Sequence, residues 1–285
     1  MKNAIKASVW IFFMGILALL ADGAARAPSP RQAAETIASM EAKCNQGQMA
    51  SCVELGLRYA HGTGVARDGA RAVQLLQKAC DRGYGLGCTD LGVMYENGNG
   101  VTKDEARAAQ LYQRACERGD ALGCGYAGDM YAGGQGVAKD DARAVQFYQR
   151  ACEAGQGLGC SNLGLMYANG RGVVKDVARA AQFYQRAIPL YQRDCDGGQG
   201  VECRYLGEMY EEGRGVAKDD ARAAQFYQRA CDGGSTLGCY KLGALYEGGR
   251  GVAKDLQRAA TNYEKACRDA WQNACEALSK LQGQK

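Results

Sequence analysis

Apolar residues recur at helical spacing along most of the chain, and the pattern restarts at regular intervals. Over residues 86–119, Cys88, Leu91 and Tyr95 fall at i, i+3 and i+7, one face of a helix. Gly98-Asn99-Gly100-Val101 then interrupts the pattern as a turn. Asp104 follows in the place of an N-cap, and Ala108, Leu111, Tyr112, Ala115 and Cys116 form a second helical stripe that stops at Gly119. The predicted unit is helix, turn, helix.

The unit repeats every 36 residues, with one step of 43. Tyr59, Tyr95, Tyr131, Tyr167, Tyr210 and Tyr246 share one place, and Gly56, Gly92, Gly128, Gly164, Gly207 and Gly243 share another. A glycine inside a helix costs about 1 kcal/mol against alanine, so six at one phase imply close helix–helix approach. Six units are expected near 48–83, 84–119, 120–155, 156–198, 199–234 and 235–270, with single capping helices at 33–47 and 271–282. At the long step Ile188 stands where a cysteine is due, and Pro189 to Arg193 extend the segment before Cys195. Seven residues are about two turns, so the helical face is nearly kept. Pro189 predicts a kink there, and the step reads either as a local duplication or as a bend in the array.

Composition adds two constraints. Forty glycines against 3 prolines suit many turns between short helices, and a net charge of +4 without a basic run gives no reason to expect nucleic acid. At the N-terminus, Lys2 and Lys6 precede an apolar stretch from Ala7 to Ala21, then small residues at Gly23, Ala24, Ala25 and Ala27. This predicts a signal peptide over 1–25, a linker over 26–32, a solenoid over 33–282 and a tail over 283–285. An uncleaved anchor is the competing reading, although the stretch is short for a membrane span. No stable membrane anchor is expected after cleavage, and the destination is the periplasm or the medium.

The 14 cysteines form pairs with seven residues between them. Cys44 goes with Cys52, Cys80 with Cys88, Cys116 with Cys124, and Cys152 with Cys160. Cys195 goes with Cys203, Cys231 with Cys239, and Cys267 with Cys275. Along one helix such a pair would be about 12 Å apart, too far for a disulfide. Gly47, Gly83, Gly119, Gly155, Gly198 and Gly234 lie three residues after the first cysteine of six pairs and allow the chain to turn. Each bond is therefore expected to clip two antiparallel helices across a turn; the last pair has Ala270 at that place. Zinc competes poorly, since its sites favour shorter cysteine spacings or nearby histidines and the chain has one His. Local pairs in an exported chain read as disulfides. No metal or other cofactor is expected.

The succession Leu91-Gly92-x-Met94-Tyr95, Gly98-x-Gly100-Val101, Lys103-Asp104 and Ala108-x-x-x-Tyr112-x-x-Ala115 resembles the Sel1-like repeat, a relative of the tetratricopeptide repeat with a longer internal turn. The cysteine pairs make the chain similar to the Helicobacter cysteine-rich proteins in particular. The resemblance covers about 33–282. It implies an all-α, right-handed α-solenoid with one helix of each pair lining a concave face. It also implies, as the alternative function, penicillin binding or β-lactamase activity.

The residues offer that alternative little. No serine is followed three places later by lysine, and the partner motifs of a serine β-lactamase are missing. His61 alone does not make a zinc site; it reads as a turn residue in the place of Asn97 and Asn169. The Gly-x-Gly turns recur six times and precede no strand, so they are not nucleotide loops. Asp68, Asp104, Asp140, Asp176, Asp219 and Asp255 each precede an arginine by three residues. Arginine in a first helical turn opposes the helix dipole, so Arg71, Arg107, Arg143, Arg179, Arg222 and Arg258 are expected to pair with acidic or carbonyl groups across the stack.

A specific site should lie where the repeat varies. One such place follows the second cysteine: Val53, Thr89, Gly125, Ser161, Arg204 and Tyr240. Another holds Leu57, Val93, Asp129, Leu165, Glu208 and Ala244. By similarity to tetratricopeptide grooves these face inward. Thr89, Val93, Asp129, Leu165, Arg204, Glu208 and Tyr240 are the candidate binding residues, with Glu208, Glu211 and Glu212 making unit five acidic. The expected function is an exported, monomeric scaffold that holds a protein or peptide.

Overall fold

The computed structural model describes residues 30–269 and 271–283. The expected signal segment, most of the linker and Ala270 lie outside the described residues, which hold fourteen helices and no strand. The chain opens with α1 (Pro30–Asn45), which begins within the expected linker. Six hairpins follow: α2 (Met49–His61) with α3 (Gly69–Asp81), α4 (Gly85–Asn97) with α5 (Glu105–Glu117), and α6 (Ala121–Gly133) with α7 (Asp141–Glu153). Then come α8 (Gly157–Asn169) with α9 (Val177–Asp196), α10 (Gly200–Glu212) with α11 (Asp220–Asp232), and α12 (Thr236–Gly248) with α13 (Leu256–Arg268). α14 (Gln272–Gly283) closes the array. Each helix packs on its sequence neighbours, as a solenoid requires. First helices of adjacent units also touch each other more than second helices do, which places the first helices inside the curve.

Local chemistry sets each boundary. The aspartates expected as N-caps accept the main-chain N–H three residues on, at 2.9 Å in all six units. Each first helix ends at a glycine in the left-handed region, such as Gly98 at φ 71°. The second glycine of the same turn, Gly100 at φ 73°, lies against Gly69, where a Cβ on Gly69 would come within 2.7 Å of Gly100 Cα. The turn of one unit thus docks on the start of the second helix of the unit before it.

All seven cysteine pairs are bonded, with Cα–Cα distances from 4.4 to 4.8 Å. Cys44 is joined to Cys52, Cys80 to Cys88, Cys116 to Cys124, and Cys152 to Cys160. Cys195 is joined to Cys203, Cys231 to Cys239, and Cys267 to Cys275. The six turn glycines have φ between 82° and 93°, a region other residues rarely adopt. Each bridge joins the second helix of one unit, or α1 at the start, to the first helix of the next, or to α14 at the end. The second cysteine of a pair therefore sits in the first turn of the incoming helix. Cys52, Cys160 and Cys239 are buried there, whereas Cys275 in α14 is half-buried. None of these sulfurs stands free as a nucleophile or metal ligand: the fourteen cysteines are architecture and not a binding site.

One expectation changes. The capping arginines do not generally pair across the stack. Arg143, Arg222 and Arg258 donate to the hydroxyls of Tyr131, Tyr210 and Tyr246 in their own hairpin and lie near their own capping aspartates. Arg107 and Arg179 lie over the rings of Tyr95 and Tyr167. Only Arg71 reaches back to another unit, at 2.6 Å from Glu41. The aspartate and the tyrosine ring together offset the unfavourable dipole.

The long step is a slide along the helix. α9 runs through Pro189 as one 20-residue helix. The second turn glycine of unit five, Gly215, meets Tyr184 and Gln185, about two turns beyond the helix start that this turn covers elsewhere. The start of α9 is left uncovered, and Val174 and Val177 are 88% and 65% exposed. Leu256, at the start of α13, is likewise 45% exposed.

Candidate interaction face

Residues two places after each second cysteine form a row along the inner layer: Glu54, Asp90, Tyr126, Asn162, Tyr205 and Lys241. The row changes from carboxylates at Glu54 and Asp90 to aromatic, amide and basic side chains further along, and it lies one place beyond the variable positions expected from the sequence. Tyr126 is raised in pKa by burial and by the nearby Glu96, Asp129, Asp90 and Tyr205.

The candidate residues divide by environment. Thr89 is 1% exposed, and its hydroxyl donates to Asp120 Oδ2 at 2.5 Å. Asp120 also caps α6 through Gly123 N at 2.8 Å. Thr89 is therefore a joint between units two and three and does not face a partner. Val93, Asp129, Arg204, Glu208 and Tyr240 are half-buried, and Leu165 is exposed. The Tyr240 ring lies 5.6 Å from that of Tyr263.

Unit five is not the acidic patch its composition suggests. Glu208 accepts from Arg204 at 2.5 Å, and the Arg204 guanidinium lies 3.9 Å over the Tyr205 ring. Glu211 sits 3.3 Å from Lys241 and 3.0 Å from Arg250. Burial would raise its pKa, but the bond from Tyr227 and these two cations hold it below the usual carboxylate value. Glu212 pairs with Arg214. The cations come from residues that look unrelated in sequence, so counting glutamates misleads.

Four acids on units two and three are of a different kind. Asp90, Glu96, Asp120 and Asp129 have no basic side chain at ion-pair distance among the described residues, although seventeen such pairs occur elsewhere. Glu96 accepts from Tyr112 at 2.6 Å, and Asp129 accepts from Tyr148 at 2.7 Å and Asn162 at 3.3 Å. Burial raises Asp129 despite the Tyr148 bond. Asp90 is pushed up to about 6, first by burial and then by Asp120. Its Oδ2 is buried with no hydrogen-bond partner.

Asp90 also lines a cleft of about 230 Å³ between α2 and α4. Leu57, Val93 and Met94 supply its apolar wall, and His61 and Arg67 stand at its turn end. His61 is thus the last residue of α2, beside the turn where the sequence puts it. A larger open depression lies under the turn of unit two, lined by Tyr95, Val101, Lys103 and Asp104 among others. Those are positions the repeat keeps in nearly every unit, so they mark scaffold rather than specificity. Among the described residues no group of His, Cys, Asp and Glu is placed to hold a metal, and no helix is long and apolar enough to cross a membrane.

Helical hairpins stacked in one direction, clipped across every joint and varied along the inner layer, define a disulfide-bonded α-solenoid scaffold. The chain belongs to the Sel1 repeat family, whose model matches residues 50–84, 85–120, 121–156, 157–188, 203–235 and 236–270. The match breaks across 189–202, where the two extra turns lie. The chain is similar to c5321, a protective antigen of uropathogenic Escherichia coli strains with an SLR fold, at 30% identity and a TM-score of 0.58, covering 87% of this chain and 52% of that one. It thus spans about half the length of that protein. A Sel1 repeat protein from Oxalobacter formigenes is 26% identical over 85% of this chain and 97% of its own, with a TM-score of 0.63. Cysteine rich protein B of Helicobacter pylori is 34% identical over 49% of this chain and 96% of its own, with a TM-score of 0.34. A search of curated proteins found no match.

Proposed function

We propose that this protein is an exported scaffold that binds a protein or peptide through its concave face. The observation that carries this reading is the split between the two kinds of position. What repeats is buried, capping or bridging, whereas the inner row changes from unit to unit, and the carboxylates of Asp90 and Asp129, which have no basic partner, lie near the part-exposed Tyr126. Seven disulfides suit an oxidising compartment, and the apolar stretch at Ala7–Ala21 supplies an export route. No observation favours the β-lactam alternative. The hydrogen-bonded hydroxyls of Ser235 and Ser279 engage main-chain groups of their own helices and no base.

Capture from a periplasmic extract on immobilised mature protein tests this reading. Tyr126→Ala with Leu165→Ala removes side chains from the inner face, and Gln146→Ala removes one from the exposed side of α7. The expected result is a discrete species held by the parent and by Gln146→Ala and lost on the inner-face variant. Identical capture by all three would contradict it.

A further inference from the structure

The position of Asp90 needs an explanation that the scaffold does not provide. The other units hold Glu, Tyr, Asn, Tyr and Lys at the same place, so no acid is required there for folding. A carboxylate with a buried, unbonded oxygen is a standing cost. The fold contains ion-pair partners for acids at many other sites and gives this one none. Costly polar groups of this kind concentrate where a ligand completes the bonding.

The surroundings specify what would complete it. The cleft beside Asp90 is smaller than the roughly 300 Å³ of ordinary small-molecule pockets, so it is sized for one side chain. Its wall of Leu57, Val93 and Met94 suits an aliphatic stem, and Asp90 suits a cationic head. Asp120 adds negative charge behind Asp90. Arg67 and His61 are donors at the opposite end, where they suit the carbonyl oxygens of a chain passing out of the cleft.

We propose that the cleft between α2 and α4 takes a lysine or arginine side chain of the bound peptide, stem on Leu57, Val93 and Met94 and head on Asp90. This rests on the concave-face reading and adds the chemistry of the partner. The mature protein, labelled with ¹⁵N, is titrated with n-butylammonium, n-butylguanidinium and n-butanol while amide shifts are followed. The expected result is saturable shifts at Leu57, Asp90, Val93 and Met94 with at least one of the cations, and binding about tenfold weaker for butanol, a difference of about 1.4 kcal/mol. Asp90→Asn is expected to remove the preference for the cation while leaving the rest of the spectrum in place. Equal binding of butanol, shifts confined to other units, or an unchanged preference in Asp90→Asn would each overturn the pocket. The capture experiment uses residues outside the cleft, so a failed titration with intact capture overturns the pocket alone. Capture that the inner-face variant leaves unchanged overturns the face.

Discussion

The ring of Tyr112 occupies the space that a side chain on Gly92 would need: a Cβ there would lie 2.6 Å from Tyr112 Cε1 and 2.9 Å from Cδ1. Units three to six repeat the contact with Tyr148, Tyr184, Tyr227 and Tyr263. Gly92→Ala is therefore expected to destabilise by about 1–3 kcal/mol, because overpacking outweighs the gain in helix propensity. Gly56 faces the Leu76 side chain instead, with a Cβ 3.0 Å from its Cγ and 3.1 Å from its Cδ2. A leucine can shift where an anchored tyrosine ring cannot, so Gly56→Ala should be close to neutral. Thermal melts of the two variants check this, and equal losses would contradict the steric account.

Each disulfide closes a short loop between units. Replacing Cys116 and Cys124 with alanine should cost about 2.5 kcal/mol on the chain-entropy model, a fall of roughly 5–10 °C in Tm for a chain of this size. Alkylation of the non-reduced parent should find no free thiol, as all fourteen cysteines are bonded.

Asp90 gives stability a pH dependence of defined sign. Its pKa is about 6 in the folded chain against 3.8 as the ordinary value, so the folded state binds the extra proton between those values. Stability from this group then falls as pH rises through the window from about 4 to 6. The cost above it is at most about 3 kcal/mol. Asp90→Asn should raise Tm at pH 7 and flatten this part of the profile. Asp120 also acts on Asp90, and Arg67 and His61 line the same cleft, so the profile is read as a difference from the parent. A variant no more stable than the parent at pH 7 would contradict the burial argument.

Deleting Ile188–Asp194 joins Ala187 to Cys195 and restores the 36-residue step. The shortened chain is expected to fold with all its disulfides, and the turn of unit five should then cover Val177. Hydrogen exchange at the start of α9 should slow. Free thiols at Cys195 and Cys203 would show that the two extra turns are needed for the joint.

Much of this architecture is legible in the sequence because each local device is spelled out by residue type. Aspartate caps, turn glycines and cysteine spacing fix the hairpins and their joints. What is not legible depends on neighbours from other units. Thr89 reads as variable and exposed, yet it bonds Asp120 of the next unit. Glu211 reads as surface charge, yet Lys241 and Arg250 of unit six neutralise it. Asp90 carries no signal of its own in the sequence, because its isolation is a property of what surrounds it. The insertion around Pro189 does not show in the sequence where the turn of unit five docks, because that register is set by a contact between units.

The central claim is that the inner layer of units two to four meets a partner. Photo-crosslinking in cells tests it most directly, with a photoreactive residue placed at Tyr126 or Leu165 on the inner layer, or at Gln146 or Gln182 on exposed faces of α7 and α9. The account predicts discrete adducts from Tyr126 and Leu165 and none from the two glutamines. The same adducts from all four sites, or adducts from the glutamines alone, would contradict it.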